Sequence, residues 1–130
     1  MKKIFQITLV FTLLCVSVQA KRLHPEAEYQ QAWCGQKGGQ LEYELDDLTR
    51  VDCLTQDKAV EFDFANKWAE CIGQSLYYGI KTNRTPVCAL IMEKGKSDIK
   101  YLKRLEEVSR KVGIEIIKVS PDILNTSPHQ

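Results

Sequence analysis

The sequence predicts an α/β (α+β) fold in which a mixed sheet is flanked by helices, in the order helix, three strands, helix, strand, helix, strand. Three observations predict it. Apolar and polar residues alternate in short runs between Gln40 and Ala65, the two-residue period of half-buried strands. Helical spacing of three and four residues replaces that alternation over Asn66 to about Tyr78, and again over about Asp98 to Val112. An apolar run follows each of those stretches, Val87 to Met92 and Ile114 to Val119, so helices and strands interleave as in layered sandwiches.

The stretch Met1 to Ala20 reads as a secretory signal peptide. Lys2 and Lys3 are followed by an apolar run from Ile4 to Val18, and Val18-Gln19-Ala20 supplies a small-residue cleavage site. That run falls short of the roughly 20 residues a bilayer span requires. The expectation is an exported protein, periplasmic or secreted, without stable membrane insertion once the leader and Cys15 are removed. Lys21 to Gln130 then makes a single domain. Taking Lys2 and Lys3 from 18 basic residues leaves 16 against 17 acidic ones, so a polyanionic partner must be held locally and not by net charge.

Pro25 and the acids after it open a first helix, expected to end before Gly35. From Gln40, Leu41, Tyr43 and Leu45 share one face of a strand, and Asp46-Asp47 turns the chain. TRVDCLT from Thr49 and AVEFDFA from Ala59 are the next two strands of a meander, joined through Gln56-Asp57-Lys58. In the second of them Val60, Phe62 and Phe64 take one face, so Glu61 and Asp63 project together from the other. The following helix has an apolar stripe of Trp68, Ile72 and Leu76 and a mostly polar one of Lys67, Glu70, Cys71, Gln74 and Tyr78. YGIKTNRTP reads as a loop. The last helix turns Leu102, Leu105, Val108 and Val112 inward and is stopped by Gly113, and the tail from Pro121 is expected to be loosely held.

Glu61 and Asp63 on one strand face, Asp52 on the neighbouring strand, and Lys67 and Gln74 on the next helix form the constellation with chemical potential. Two acids at i and i+2 repel each other, so a strand that keeps them side by side points to a cation. Clustered carboxylates suit Mg²⁺, with waters and phosphate oxygens completing its shell. An ammonium beside such an ion stabilises charge developing on a phosphate, while the ion lowers the pKa of the attacking water. The pattern points to hydrolysis of phosphodiesters. The competing reading of each member is a solvated surface charge or ordinary amphipathic packing.

These residues resemble the PD-(D/E)XK, or restriction-endonuclease-like, nuclease superfamily, whose pattern is an acid on one strand and an acid-x-lysine on the next. TRVDCLT and AVEFDFANKW match it, and Gln74-Ser-Leu-Tyr-Tyr78 resembles the Gln-x-x-x-Tyr element of its RecB-like branch. The likeness covers about Glu28 to Met92. It implies a restriction-endonuclease-like sheet and a metal-dependent endonuclease acting on DNA or RNA. It further implies Mg (or Mn) held by Asp52 and Glu61 with Asp63 as accessory acid, and Gln74 and Tyr78 beside the site. Some members bring an acid from the first helix, which makes Glu28 an accessory candidate, and small nucleases of this fold often act as homodimers. The chain departs from the pattern at Asp63, where the superfamily has its lysine; Lys67 on the following helix is placed to stand in. Glu42 is left out, a solvated strand face accounting for it.

Cys34, Cys53, Cys71 and Cys88 are an even number in an exported chain, which favours two disulfides, of three possible connectivities. Cys53 points away from Asp52 while Cys71 lies on the helix stripe facing the active side, so parity favours Cys34 with Cys53 and Cys71 with Cys88. Zinc is disfavoured by the lack of a Cys-x-x-Cys pair and by His24 and His129 standing at the ends. Lys94, Lys96, Lys100, Lys103 and Arg104, with Lys81 and Arg84 nearby, are a candidate phosphate-guiding patch. The alternatives to a nuclease are a catalytically silent binding module of the same fold and a secreted interaction or inhibitor protein.

Overall fold

The computed structural model describes residues 21–126; the leader read over Met1 to Ala20, with Cys15, and His129 lie outside the described residues. Helix α1 (Glu26–Gln36) precedes three strands, β1 (Gln40–Glu44), β2 (Arg50–Leu54) and β3 (Lys58–Phe64). Helix α2 (Trp68–Thr82), β4 (Thr85–Ile91), α3 (Ile99–Val112) and β5 (Glu115–Val119) complete the expected order. One five-stranded mixed sheet runs β1-β2-β3-β4-β5. Its first two pairings are antiparallel and its last two parallel.

The two parallel crossovers need helices to return the chain, and right-handed connections place α2 and α3 on one face. There they cover Cys88 and Leu90, with Trp68, Ile72, Leu76 and Leu105 packed in. Helix α1 covers the other face, where Tyr29 and Trp33 meet Val60, Phe62 and Phe64. β3 and β4 are therefore buried from both sides. That explains the unbroken apolar sequence of β4, and it makes the two acids of β3 conspicuous.

Disulfides join Cys34 to Cys53 and Cys71 to Cys88, tying α1 to β2 and α2 to β4. Gly39 passes directly over the first. A Cβ added there would lie 2.5 Å from Cys53 Sγ and 2.8 Å from Cys34 Sγ. Gly39→Ala is expected to cost roughly 1–3 kcal/mol through overpacking. A urea midpoint equal to wild type would show that the cystine moves aside freely.

Several expectations need correction. Helix α2 does not stop at Tyr78 but continues through the supposed loop to Thr82, where Asn83 adopts the left-handed conformation (φ 53°) that ends a helix. The described part of the tail, residues 121–126, is not loose: Pro121–Asn125 form a 3₁₀ turn whose Ile123 and Leu124 pack against the α1 core. Gln36 donates a hydrogen bond to Thr126 there. Val112, expected to turn inward, is instead substantially exposed at the last turn of α3.

Candidate functional site

The β2–β3 ladder is short. Its paired positions are Cys53 with Val60 and Leu54 with Ala59, and it does not continue to Asp52. At that point the Asp52 carboxylate takes over the backbone, accepting a hydrogen bond from the Phe62 amide at 2.7 Å. The acidic cluster gathers where the ladder pairing stops.

Glu61 and Asp63 face the α2 side of β3, each 5 % exposed. The Asp52 and Glu61 carboxyls lie close enough to act on each other. Burial, above all, holds both well above the usual carboxylate range, and for Glu61 the neighbouring charges of Asp52 and Asp63 add to it. Asp63 is pushed up to about 7, by burial first and then by the charge of Glu26. Glu61 Oε2 and Asp63 Oδ2 are buried without any hydrogen-bond partner.

The acid that α1 brings to this cluster is Glu26, not Glu28. Glu28 is half-exposed and pairs with His24 Nδ1 at 3.0 Å. Glu26 is raised by burial, restrained by Lys67 and Arg22, and accepts a hydrogen bond from Gln30. Its charge raises Asp52, Glu61 and Asp63 alike. A sequence signal for it existed: Glu26 precedes Tyr29 by three residues and Trp33 by seven, the spacing of the face α1 buries. Glu42, also set aside in the sequence, lies opposite Asp52 on β1 between two paired positions, with φ at 51°. Its charge reaches Asp52 and Glu26.

The polar stripe of α2 borders the acids. Lys67 sits 3.9 Å from Glu70 and draws down both Asp63 and Glu26. Tyr78 is buried, and its phenol is raised by burial and then by the Glu61 charge, while a hydrogen bond with Gln74 opposes the shift. Gln74 itself is exposed and does not join the acids.

Among the described residues no three His, Cys, Asp or Glu side chains are drawn together tightly enough to hold a metal ion as they stand. Coordination of an ion there would require side-chain rotation within the cluster. The donor set suits a hard cation nonetheless, since it is all oxygen and two buried oxygens lack partners. The basic residues divide. Lys94, Lys96 and Lys100 follow the carboxyl end of β4, the end at which Lys67 leaves the parallel β3. Lys81 and Arg84 lie about 20 Å away, at the other end of that strand. They line a separate cavity of about 260 Å³ with Tyr43 and Leu45. The single patch expected from the sequence is thus two.

No family model matches this chain. No solved structure matches it. A putative KilA-N domain-containing protein of Acanthamoeba polyphaga mimivirus is 31% identical over 80 residues, 62% of this chain and 32% of that protein. The match thus spans about a third of the length of that relative. Among the described residues no helix is long and apolar enough to cross a membrane.

Proposed function

We propose that this protein is an exported, metal-dependent nuclease of the restriction-endonuclease-like PD-(D/E)XK type, hydrolysing phosphodiester bonds of DNA or RNA. The observation that carries the reading is the pair of unpartnered oxygens, Glu61 Oε2 and Asp63 Oδ2, on side chains 95 % withdrawn from solvent. Ionised carboxylates at such depth are costly unless a cation compensates them. The element order, with the acids where the β2–β3 pairing stops, supports the same reading. So do the two disulfides, which belong to oxidising compartments. The mimiviral relative's name states no substrate, so the activity is argued from the site.

Asp52, Glu61 and Asp63, with Glu26, would hold Mg²⁺ or Mn²⁺, which when bound polarises a phosphoryl oxygen and lowers the pKa of water. Asp52 is anchored by the Phe62 amide, so its free oxygen is presented from a fixed position. Lys67 replaces the lysine missing at Asp63 and meets negative charge developing on the phosphate. Tyr78, aligned by Gln74, closes the inner side of the cluster against water.

A second reading, a silent binding module of this fold, is favoured by the acid at position 63 and by the need for rearrangement before any ion is coordinated. Labelled DNA and RNA incubated with the oxidised protein and Mg²⁺, Mn²⁺ or EDTA separate the two. The nuclease reading expects cleavage that EDTA abolishes and that Asp52→Asn, which keeps an acceptor for the Phe62 amide but removes the ligand charge, reduces by more than the roughly hundredfold that loss of a ligand-supporting group costs. Intact substrate in every lane would leave the binding module.

A further inference from the structure

Four carboxylates converge on a site meant for a phosphate, and the one nearby lysine is shared with Glu70. The structure supplies a second cation from outside the constellation. Arg22 lies just before α1, with its guanidinium carbon 3.7 Å from the centroid of the Phe64 ring at the end of β3. Its Nη2 donates to Asn66 Oδ1 at 2.5 Å, in the turn that carries Lys67. The segment leading to it is pinned from the other side, because Glu93 accepts hydrogen bonds from the Leu23 and His24 amides and from the Tyr29 hydroxyl. Tyr29 in turn packs edge-on against Phe64. An arginine with a stacked plane, a fixed neighbour and a tethered backbone is oriented before any ligand arrives.

The oriented group is still available. One of its N–H donors is used by Asn66, and among the described residues it forms no ion pair. It stands close enough to the cluster for its charge to act on Glu26, as Lys67 does. Both cations lie where β3 ends, the end from which the chain leaves for α2. A planar guanidinium matches two oxygens of a phosphate at once, whereas an ammonium offers a point charge.

We infer that Arg22 is a substrate-positioning residue that binds a backbone phosphate of a nucleic acid lying across the carboxyl end of β3, beside the carboxylate cluster. This rests on the nuclease reading of that cluster and adds to it the element that fixes the substrate's register. Lys67 then faces the reacting phosphate, and Arg22 holds a neighbouring one.

The test is equilibrium binding of a short fluorescent oligothymidylate in Ca²⁺, measured over a series of salt concentrations for wild type, Arg22→Ala and Arg22→Lys. Arg22→Ala is expected to weaken binding about tenfold at low salt, the worth of a charge-assisted contact. It should also reduce the slope of log affinity against log salt by about 0.7, the value for one lost phosphate contact on a single strand. Arg22→Lys should keep the slope while binding more weakly. If Arg22→Ala unfolds, Arg22→Gln retains a donor for Asn66 and takes its place, with the same losses expected. An unchanged slope and affinity in a folded Arg22→Ala or Arg22→Gln would overturn the inference while leaving wild-type cleavage, and the nuclease reading, intact. A wild type that neither cleaves in Mg²⁺ nor binds the probe in Ca²⁺ would overturn both.

Discussion

Glu61→Gln is expected to abolish divalent-ion-dependent cleavage and, in the absence of metal, to make the fold more stable at alkaline pH. Replacing a ligand should lower activity by more than the roughly 10–100-fold that follows loss of a partner merely supporting a ligand. The gain in stability comes from the same burial that makes Glu61 a candidate. Its carboxyl sits 5 % exposed beside Asp52 and Asp63, and one oxygen has no partner. A group whose pKa is higher in the folded than in the unfolded chain favours folding fully below the unfolded value. That contribution is lost as pH rises through the folded value. Asp52 and Asp63 are raised to about 7 and Glu61 to about 10, so metal-free wild type should lose stability from about pH 4, where the unfolded carboxyls ionise, to about pH 10. Glu61→Gln should flatten that decline, and Mg²⁺ should raise the melting temperature of wild type more at the alkaline end than at the acidic one. Thermal unfolding in EDTA and in Mg²⁺ across this range gives the answer. A wild-type profile that is flat in EDTA would mean that the acids relax into solvent and hold no cation.

The sequence disclosed the acids of β3 and β2 because strand parity is strict. Once Val60, Phe62 and Phe64 were assigned to the core, Glu61 and Asp63 had no other face to occupy. Helix α1 is less strict. Neighbouring acids at Glu26 and Glu28 differ by about 200° around a helix, and only the positions of Tyr29 and Trp33 decide which of them meets the sheet. The family resemblance began at Glu28 and drew attention to the wrong one. Glu42 and Arg22 were hidden for another reason. Each reaches the site from far along the chain, Glu42 across a strand pairing and Arg22 through a contact of a coil segment with Phe64. No local period records such contacts. The order of elements was legible throughout, whereas the end of α2 depended on a left-handed Asn83 and the docking of the tail on two partly buried side chains, Ile123 and Leu124.

Replacing Cys34 and Cys53 together by alanine is expected to lower stability by about 3 kcal/mol, the loop-closure contribution of a cystine spanning a short loop. The two residues are separated by 19 positions. For a domain of this size that corresponds to a fall in melting temperature of roughly 10–20 °C. The Cys71–Cys88 pair, 17 positions apart, should show a similar loss of stability. The two should differ at the site. Cys53 is the residue next to Asp52, and Cys34 is on the helix that delivers Glu26, so the first bridge clamps together two of the elements from which the carboxylates converge. Without it α1 is held to the sheet by Tyr29 and Trp33 packing on Phe62 and Phe64, which keeps the helix docked while loosening its register. Divalent-ion affinity, read from the metal-induced rise in melting temperature, should therefore fall more in the Cys34/Cys53 variant than in the Cys71/Cys88 one, although both melt earlier. Equal metal-induced shifts in the two variants would assign the cystines to stability alone and leave the placing of Glu26 to the aromatic contacts of α1.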